Sequence, residues 1–412
     1  MSHSYDVIII GAGPGGLSAA LYSARARLNT LVVEQKRKTG GQCATTSELE
    51  NYPGIIQDSG SGLMEKFTQH ASRFGAQFIH GRVDSLTLSE DGLHKTVQLR
   101  DGTELLAKSV IISTGTRPRI LGIPGEEAFA GRGVSYCATC DADFYTDLDV
   151  IVVGSGNTAV EEAVFLTRYV SSLTMIVIHE EGHLDADRIA QDIAFANEKI
   201  TFVWNSIVTA INGDGIVGSV TIKNVKTGKE SRLATNGVFM FVGTEPQTDW
   251  LSPLRNRLPL TAGGYIQTNS LQETQLPGIF AVGDVCHKFL RQVVTAAGDG
   301  ATAAVAASQY LEQEEFWQTQ VIKNPLKTLV FFWSPLKKQS VQLMTCLEHL
   351  VSQAPEWKLV PIDAYKNQRL VARYSISELP VLLHLDKGKE IRRWTQPDES
   401  QLSVIFRSKP ND

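Results

Sequence analysis

Long apolar runs are missing from this 412-residue sequence, and so is any concentrated block of positive charge. No stretch approaches the roughly 20 unbroken apolar residues of a membrane-spanning helix, so no membrane association is expected. The net charge is −5 and the 20% of charged residues are dispersed, which removes the basic footprint a nucleic-acid partner requires. The start, Met1-Ser2-His3-Ser4-Tyr5-Asp6, lacks a basic leader followed by an apolar stretch, and a cytoplasmic location is the expectation. Cysteine is scarce too: five in the chain cannot build a disulfide framework. In a reducing compartment a close cysteine pair is then catalytic or metal-binding rather than structural. What is present, 42% hydrophobic residues over this length, suffices for two or three domains.

Two segments share one pattern. Val7-Ile8-Ile9-Ile10 is a continuous apolar strand that breaks at Gly11-Ala12-Gly13-Pro14-Gly15-Gly16, after which Leu17, Ala20, Leu21 and Ala24 fall on one helical face. Thr30 to Val33 reads as the next strand, with Glu34 at its end where a carboxylate meets ribose hydroxyls. Later, Val150-Ile151-Val152-Val153 leads into Gly154-Ser155-Gly156-Asn157-Thr158-Ala159 and a second helix, and Leu173 to Ile178 supplies a following strand. One such loop is weak evidence for a nucleotide; two in the same strand, turn and helix context predict two nucleotide sites.

Cys137-Ala138-Thr139-Cys140-Asp141 places two thiols at disulfide spacing with a carboxylate behind them. A dithiol cycling to a disulfide exchanges two electrons, and one cysteine of such a pair often has a lowered pKa. The leaving thiolate needs an acid, a role open to Asp141. The alternative is a zinc half-site, which would want a second closely spaced pair of ligands, whereas Cys43, Cys286 and Cys346 are scattered.

A third segment, Gly278-Ile279-Phe280-Ala281-Val282-Gly283-Asp284, reads as a strand ending in an acidic residue. It is followed by Arg291-Gln292-Val293 and a small-residue helix from Ala296 to Ala307. Together with Gly40-Gly41-Gln42 and Asn51, these residues resemble the FAD domain of bacterial-type thioredoxin reductases through about three quarters of the chain. The resemblance implies that FAD is held by Gly11, Gly13, Pro14, Gly15, Gly16, Glu34, Gly41, Gln42, Asn51, Thr114, Gly115, Gly283, Asp284, Arg291, Gln292 and Val293. Asp284 and Gln292 would meet the ribitol and isoalloxazine region. It implies also that Cys140 faces the flavin, that Cys137 exchanges with a protein disulfide, and that Asp141 is the acid/base.

The second loop should hold a nicotinamide nucleotide at Gly154, Gly156, Asn157, Thr158 and Ala159. NADPH-using relatives follow it with an HRRxxxR-type run whose arginines bind the 2′-phosphate. Here the run is His179-Glu180-Glu181-Gly182-His183-Leu184-Asp185, with carboxylates at the three cationic positions. Those carboxylates repel a phosphate dianion and accept hydrogen bonds from a ribose diol, so NADH is expected, with Glu180 among its ligands, and NADPH is disfavoured. A solvated acidic loop is the plainer reading. Some members of the family take electrons from ferredoxin or have no known donor, which keeps a donor other than a nucleotide open.

From Lys323 the character changes to short strands at Thr328 to Trp333, Leu359 to Ile362 and Val381 to Leu385 with helical stretches between them. The polar segment Glu312 to Lys323 reads as the join, or as the end of the preceding helix. Phe331-Phe332-Trp333-Ser334-Pro335-Leu336-Lys337-Lys338-Gln339-Ser340 resembles the strand-to-helix turn of thioredoxin, and Tyr374-Ser375-Ile376-Ser377-Glu378-Leu379-Pro380-Val381 the loop whose proline is cis in that fold. Lys337 and Ser340 stand where its two cysteines belong, so this domain is expected to be redox-silent, with Trp333 a packing residue.

The expected architecture is α/β throughout. An FAD domain from residues 1–119 and 248–318 is interrupted by a nicotinamide-nucleotide domain, 120–247, carrying the cysteine pair, and a thioredoxin-like domain spans 323–412. The expected function is FAD-dependent reduction of thioredoxin or a similar protein disulfide, by a homodimer in the family's manner. The family rotates its smaller domain between two half-reactions, and Arg117-Pro118-Arg119 and Thr244-Glu245-Pro246 are candidate hinges. A redox-sensing regulatory flavoprotein that signals through the C-terminal module is the rival. An alkyl-hydroperoxide-reductase-type partner flavoprotein ranks below both, since those carry thioredoxin-like domains ahead of the flavin core and keep active cysteines.

Overall fold

The structure, a computed structural model, describes residues 4–46, 49–56 and 58–407. It divides into two compact units, Met1–Ser308 and Gln309–Asp412. In the first, the unbroken apolar run of strand Ser4–Ile10 is explained by burial of Val7 to Ile10 between parallel neighbours Thr30–Glu34 and Glu104–Ile112. Gln77–His80 extends the sheet past Thr30–Glu34. Glu104–Ile112 is shared: its start pairs antiparallel with Lys95–Leu99, itself paired to Val83–Leu88, and its end pairs in parallel with Ile279–Ala281. The segment predicted as a strand to Asp284 is shorter than expected, turning into a 3-10 turn at Gly283–Val285 that swings Asp284 out of the ladder.

The second sheet of this unit is wholly parallel, in the order Ile200–Val203, Ser172–Ile176, Asp149–Val153, Gly237–Met240, Val134–Ser135. Ser172–Ile176 stops two residues before the expected end. An antiparallel sheet of Ser206–Asp214, Ile216–Asn224 and Glu230–Ala234 packs Val208, Ile211, Val220 and Ile222 against Ile151, Val153 and Met240. The chain crosses between the two sheet systems at Thr116–Pro118 and Thr244–Pro246, which pair with each other as an antiparallel ribbon. Arg117 lies 3.0 Å from Asp249 and 3.7 Å from Glu245 at this ribbon.

The second unit holds a four-stranded sheet in the order Trp357–Asp363, Lys327–Trp333, Val381–Asp386, Lys389–Thr395. The first pair is parallel and the others antiparallel. Helices Lys338–Ser352, Gln368–Arg373 and Glu399–Arg407 accompany it. Helix Val293–Trp317 takes up the first half of the segment read as a join, and a π turn at Gln318–Ile322 takes up most of the rest. Trp317 and Val321 are buried with Val330, Phe332 and Ile362, which is why this unit begins at Gln309 and not at Lys323. Among the described residues no helix is long and apolar enough to cross a membrane.

Candidate functional site

Helix Pro14–Arg25 starts on a proline, and its N-cap Gly13 supplies no side-chain cap, so first-turn N–H groups are left for an anion. The glycines divide the labour. A Cβ on Gly11, at φ +100°, would lie 2.3 Å from Ser113 O, and one on Gly16 would lie 1.9 Å from Gly11 O, so both are needed for the helix to close on the strand. Gly13 has nothing within 4 Å of an added Cβ and faces open space. Gly11, Gly13, Pro14 and Gly15 line a cavity of about 1270 Å³, whereas Gly16 is packed beneath it.

Glu34 is buried on the wall of this cavity, accepting from Ala12 N (2.7 Å) through Oε2 and from Lys36 N (2.8 Å) through Oε1. Each oxygen retains a lone pair for a hydroxyl. Gly41, Gln42, Thr114, Gly115, Gly283, Asp284, Arg291, Gln292 and Val293 all reach the same cavity. Asn51 does not, but its Nδ2 donates to Gln292 Oε1 at 3.1 Å and so orients a residue that does. Gln42 Nε2 donates to both oxygens of Thr116. Burial pushes the Asp284 carboxyl up, against the pull of Lys288 and Arg291. Arg291 stacks on Tyr265 with its guanidinium carbon 4.4 Å from the ring centroid, and its Nε is buried without a hydrogen-bond partner. An uncapped helix start, an open glycine and an orphaned arginine donor at one cavity fit the pyrophosphate and polar rim of FAD.

The second loop repeats the geometry. Helix Asn157–Leu166 has Gly156 as an N-cap without a side-chain cap, and a Cβ on Gly154, at φ +136°, would lie 2.2 Å from Phe241 O. Gly154, Gly156, Asn157, Thr158 and Ala159 line the cavity shared with the first loop. Glu180 does not line that cavity. It pairs with Lys226 at 2.8 Å in a separate small pocket, and the lysine holds its carboxyl below the usual range. Asp185 and His179 line the main cavity in its place. Asp185 Oδ2 accepts from Ser155 Oγ and from His179 Nε2, each at 2.7 Å, and these partners hold its carboxyl low, Ser155 foremost.

Cys137 and Cys140 form a disulfide with Cα atoms 5.3 Å apart, across the first turn of the short helix Ala138–Asp141. Both residues line the same cavity as the two glycine loops. Cys140 is exposed and Cys137 half-buried. The Cys140 N–H donates to Cys137 Sγ at 3.2 Å, a contact that would stabilise a thiolate on Cys137. Asp141 lies outside the cavity lining, its Oδ2 accepting from Ser135 Oγ at 2.7 Å, and Ser135 Oγ accepts from Cys137 N at 3.1 Å. Cys43 also reaches the cavity, but burial pushes its thiol up to about 11, and Cys286 is pushed to about 12, so both stay protonated.

Sequence reasoning missed several groups. Glu162 lines the cavity, takes a hydrogen bond from the Thr139 backbone between the two cysteines, and has a buried Oε2 without a partner. Burial pushes it up to about 7, with Glu161 adding to the rise. Only the doublet Glu161-Glu162 in a helix after a glycine loop hinted at it. Gln247 ties the ribbon to the loop after the first sheet, donating through Nε2 to Thr114 O at 2.7 Å while its carbonyl accepts from Thr114 Oγ1 at 2.9 Å. Lys226, on a distant hairpin, had no local signal at all.

Comparison with known proteins agrees with this geometry. Residues 5–300 match the family described as pyridine nucleotide-disulphide oxidoreductase. A thioredoxin reductase from Peptoclostridium acidaminophilum is 43% identical over 319 residues, which is 76% of this chain and 98% of that protein. The Lactococcus lactis thioredoxin reductase, in a crystal structure described as its FR conformation, is 41% identical and superposes with a TM-score of 0.72 over 75% of this chain and 99% of its own. The thioredoxin reductase from Streptococcus pyogenes is 43% identical over 76% of this chain and 100% of its own, with a TM-score of 0.51.

Proposed function

We propose, for a chain that belongs to the pyridine nucleotide-disulphide oxidoreductase family, the reduction of thioredoxin or a similar protein disulfide with electrons drawn preferentially from NADH. The chain is a thioredoxin reductase-like, FAD-dependent oxidoreductase. When bound, FAD relays two electrons between a nicotinamide nucleotide and a disulfide. The observation that carries the reading is that Cys137 and Cys140 open onto the one cavity that both glycine loops line.

In the exchange step the Cys137 thiolate attacks one sulfur of the substrate disulfide and the other leaves as a thiolate. Cys140 then attacks the mixed disulfide, so the enzyme ends as the Cys137–Cys140 disulfide and the substrate as a dithiol. The Cys140 N–H on Cys137 Sγ supports this order. Asp141, tethered to Ser135, would supply and recover the proton. The NADH preference rests on Asp185, which offers a carboxylate at the cavity, while Lys226 offsets part of the acidic run at Glu180. Anaerobic titration of the flavoprotein with NADH, NADPH and reduced ferredoxin, followed through the flavin spectrum, tests the donor. NADPH winning, or only ferredoxin working, would reject it.

Rotation of the cysteine-bearing lobe about the ribbon Thr116–Pro118 and Thr244–Pro246 belongs to this proposal. Two relatives of nearly equal identity, both aligned over almost their whole length, differ in TM-score from 0.72 to 0.51, as expected when lobes of one fold are differently disposed. A lobe-to-lobe fluorescence distance that stays constant through reduction would count against it. The second unit is proposed to be a redox-silent thioredoxin-like module. Its Leu379–Pro380 bond is cis, and Lys337 and Ser340 sit at the start of helix Lys338–Ser352. Lys337 Nζ donates to Leu379 O at 3.2 Å, so a lysine takes the place at the proline loop where a thiol would stand. Docking of a partner by this module predicts that removal of residues 323–412 changes partner binding, assembly or turnover. A cytoplasmic homodimer completes the proposal, and light scattering of the purified protein checks the assembly.

A further inference from the structure

Three side chains at the rim of the second glycine loop converge without a role in the disulfide chemistry. His179, His183 and Asp185 each present a ligand atom, and these atoms lie within 4.8 Å of one another. His179 Nε2 is 2.7 Å from Asp185 Oδ2, and His183 Nε2 is 3.9 Å from Asp185 Oδ1, so each imidazole addresses a different oxygen of one carboxylate. The two rings meet edge to face with centroids 5.0 Å apart. A hydrogen bond from His179 to Asp185 accounts for two of these groups, whereas His183, at 3.9 Å, stands beyond hydrogen-bond reach of the carboxylate it faces.

The carboxylate is positioned from behind. Ser155 Oγ donates to Asp185 Oδ2 at 2.7 Å and Asp185 N donates to Ser155 O at 2.9 Å, the kind of outer support that orients metal-ligating carboxylates. The side chains of His179, His183 and Asp185 are 35%, 66% and 53% exposed, so an ion has a path from solvent and room for further ligands.

We propose that His179, His183 and Asp185 form a binding site for a divalent transition-metal ion of the zinc type. Two imidazole nitrogens and one carboxylate oxygen, drawn in to about 2.0–2.2 Å, complete three positions of a tetrahedron and leave the fourth to water. Magnesium and calcium, which want mostly oxygen ligands, do not suit the set. On ligation a neutral His179 moves its ring proton from Nε2 to Nδ1, with no net proton lost, and the ion replaces that proton between the ring and Asp185. The local charge changes from −1 to +1. Occupancy therefore takes Asp185 away from a ribose diol, a consequence that rests on the NADH reading above, whereas the site itself does not.

The test uses the metal alone. Untagged, oxidised holo-protein, with Cys137 and Cys140 locked in their disulfide, is titrated with Co²⁺ and then with Zn²⁺ against a chromophoric chelator. One equivalent should bind with micromolar affinity, and Co²⁺ should show the ligand-field absorption of a four-coordinate nitrogen and oxygen site that Zn²⁺ displaces. His183→Ala and Asp185→Asn should each weaken uptake at least tenfold, and Ser155→Ala about tenfold. Far-UV circular dichroism and flavin content establish that each variant is folded, and the exposure of His183 favours that outcome. Uptake only at millimolar metal, or undiminished uptake by folded His183→Ala and Asp185→Asn, overturns the proposal.

Discussion

On the proposed preference for NADH, Asp185→Asn should separate the two nicotinamide nucleotides, because Asp185 is the carboxylate of the acidic run that lines the cavity. Asparagine preserves shape and leaves one oxygen to accept from Ser155 or His179, so the substitution removes charge without emptying the position. A hydrogen bond from a ribose hydroxyl to a carboxylate contributes about 1.5–3 kcal/mol, and its loss should weaken NADH roughly 10- to 150-fold. Because the ribose is remote from the reacting centre, the loss should appear in the concentration dependence and leave the limiting rate of flavin reduction nearly unchanged. NADPH should respond oppositely. At a separation of about 5 Å in a solvent-like dielectric, one carboxylate repels a phosphate dianion by roughly 1–2 kcal/mol, so its removal should tighten NADPH about 5- to 30-fold. Stopped-flow flavin reduction over a concentration series of each nucleotide measures both. An unchanged ratio of the two affinities, or a wild-type protein that already prefers NADPH, would refute the assignment of Asp185 as the discriminating group.

Cys137→Ser and Cys140→Ser should each lower turnover with a protein disulfide by at least about 10³-fold while NADH still bleaches the flavin; retained turnover in either would remove the pair from the mechanism. Burial raises Glu162 to about 7, above an unfolded value of about 4.3, so the folded state holds an extra proton between those limits. Its stabilisation is complete below about pH 4.3 and is lost as pH rises through about 7, an effect of about 2 to 3 kcal/mol between about pH 5 and about pH 8. Urea unfolding of Glu162→Gln should lack that part of the pH dependence, and parallel profiles for the two proteins would contradict the burial argument. The double substitution Lys337→Cys with Ser340→Cys should give the second unit a reducible disulfide detectable by thiol titration. Two thiols beyond those of Cys43, Cys286 and Cys346 after oxidation, counted in the unfolded protein, would speak against a thioredoxin-like turn there.

The parts of the fold legible in the sequence are those where local chemistry leaves one option. Gly11 and Gly16 can be read because a Cβ at either would collide with backbone, and Gly154 repeats the constraint at the second loop. Unbroken apolar runs at Val7 to Ile10 and Val150 to Val153 announce strands buried on both faces, which they are. Boundaries were harder to read. The helix running to Trp317 continues because Trp317 finds a core with Phe332 and Val330, partners that lie beyond the join in sequence. The site shows the same division. Glu180 and Asp185 look equivalent as carboxylates in one acidic run, yet Lys226, 46 residues further on, takes Glu180 into its own pocket, and Ser155, 30 residues earlier, keeps Asp185 at the cavity.

The chemistry was legible in the residues alone: a dithiol at Cys137 and Cys140, two glycine loops each in a strand, turn and helix context, and a C-terminal segment whose Lys337 and Ser340 cannot exchange electrons. These follow from side-chain identity and short-range sterics, which are properties of neighbours in the chain. Packing was needed to show that the dithiol and both loops share one cavity, that the two crossings pair as a ribbon, and that Glu162, hinted at only by its doublet with Glu161, bears on the redox turn. It also decided that Asp185, and not Glu180, lines the cavity and that His179, His183 and Asp185 converge on one point. Burial, charge pairing and cavity walls are set by residues far apart in sequence, and become facts only when the sheets pack.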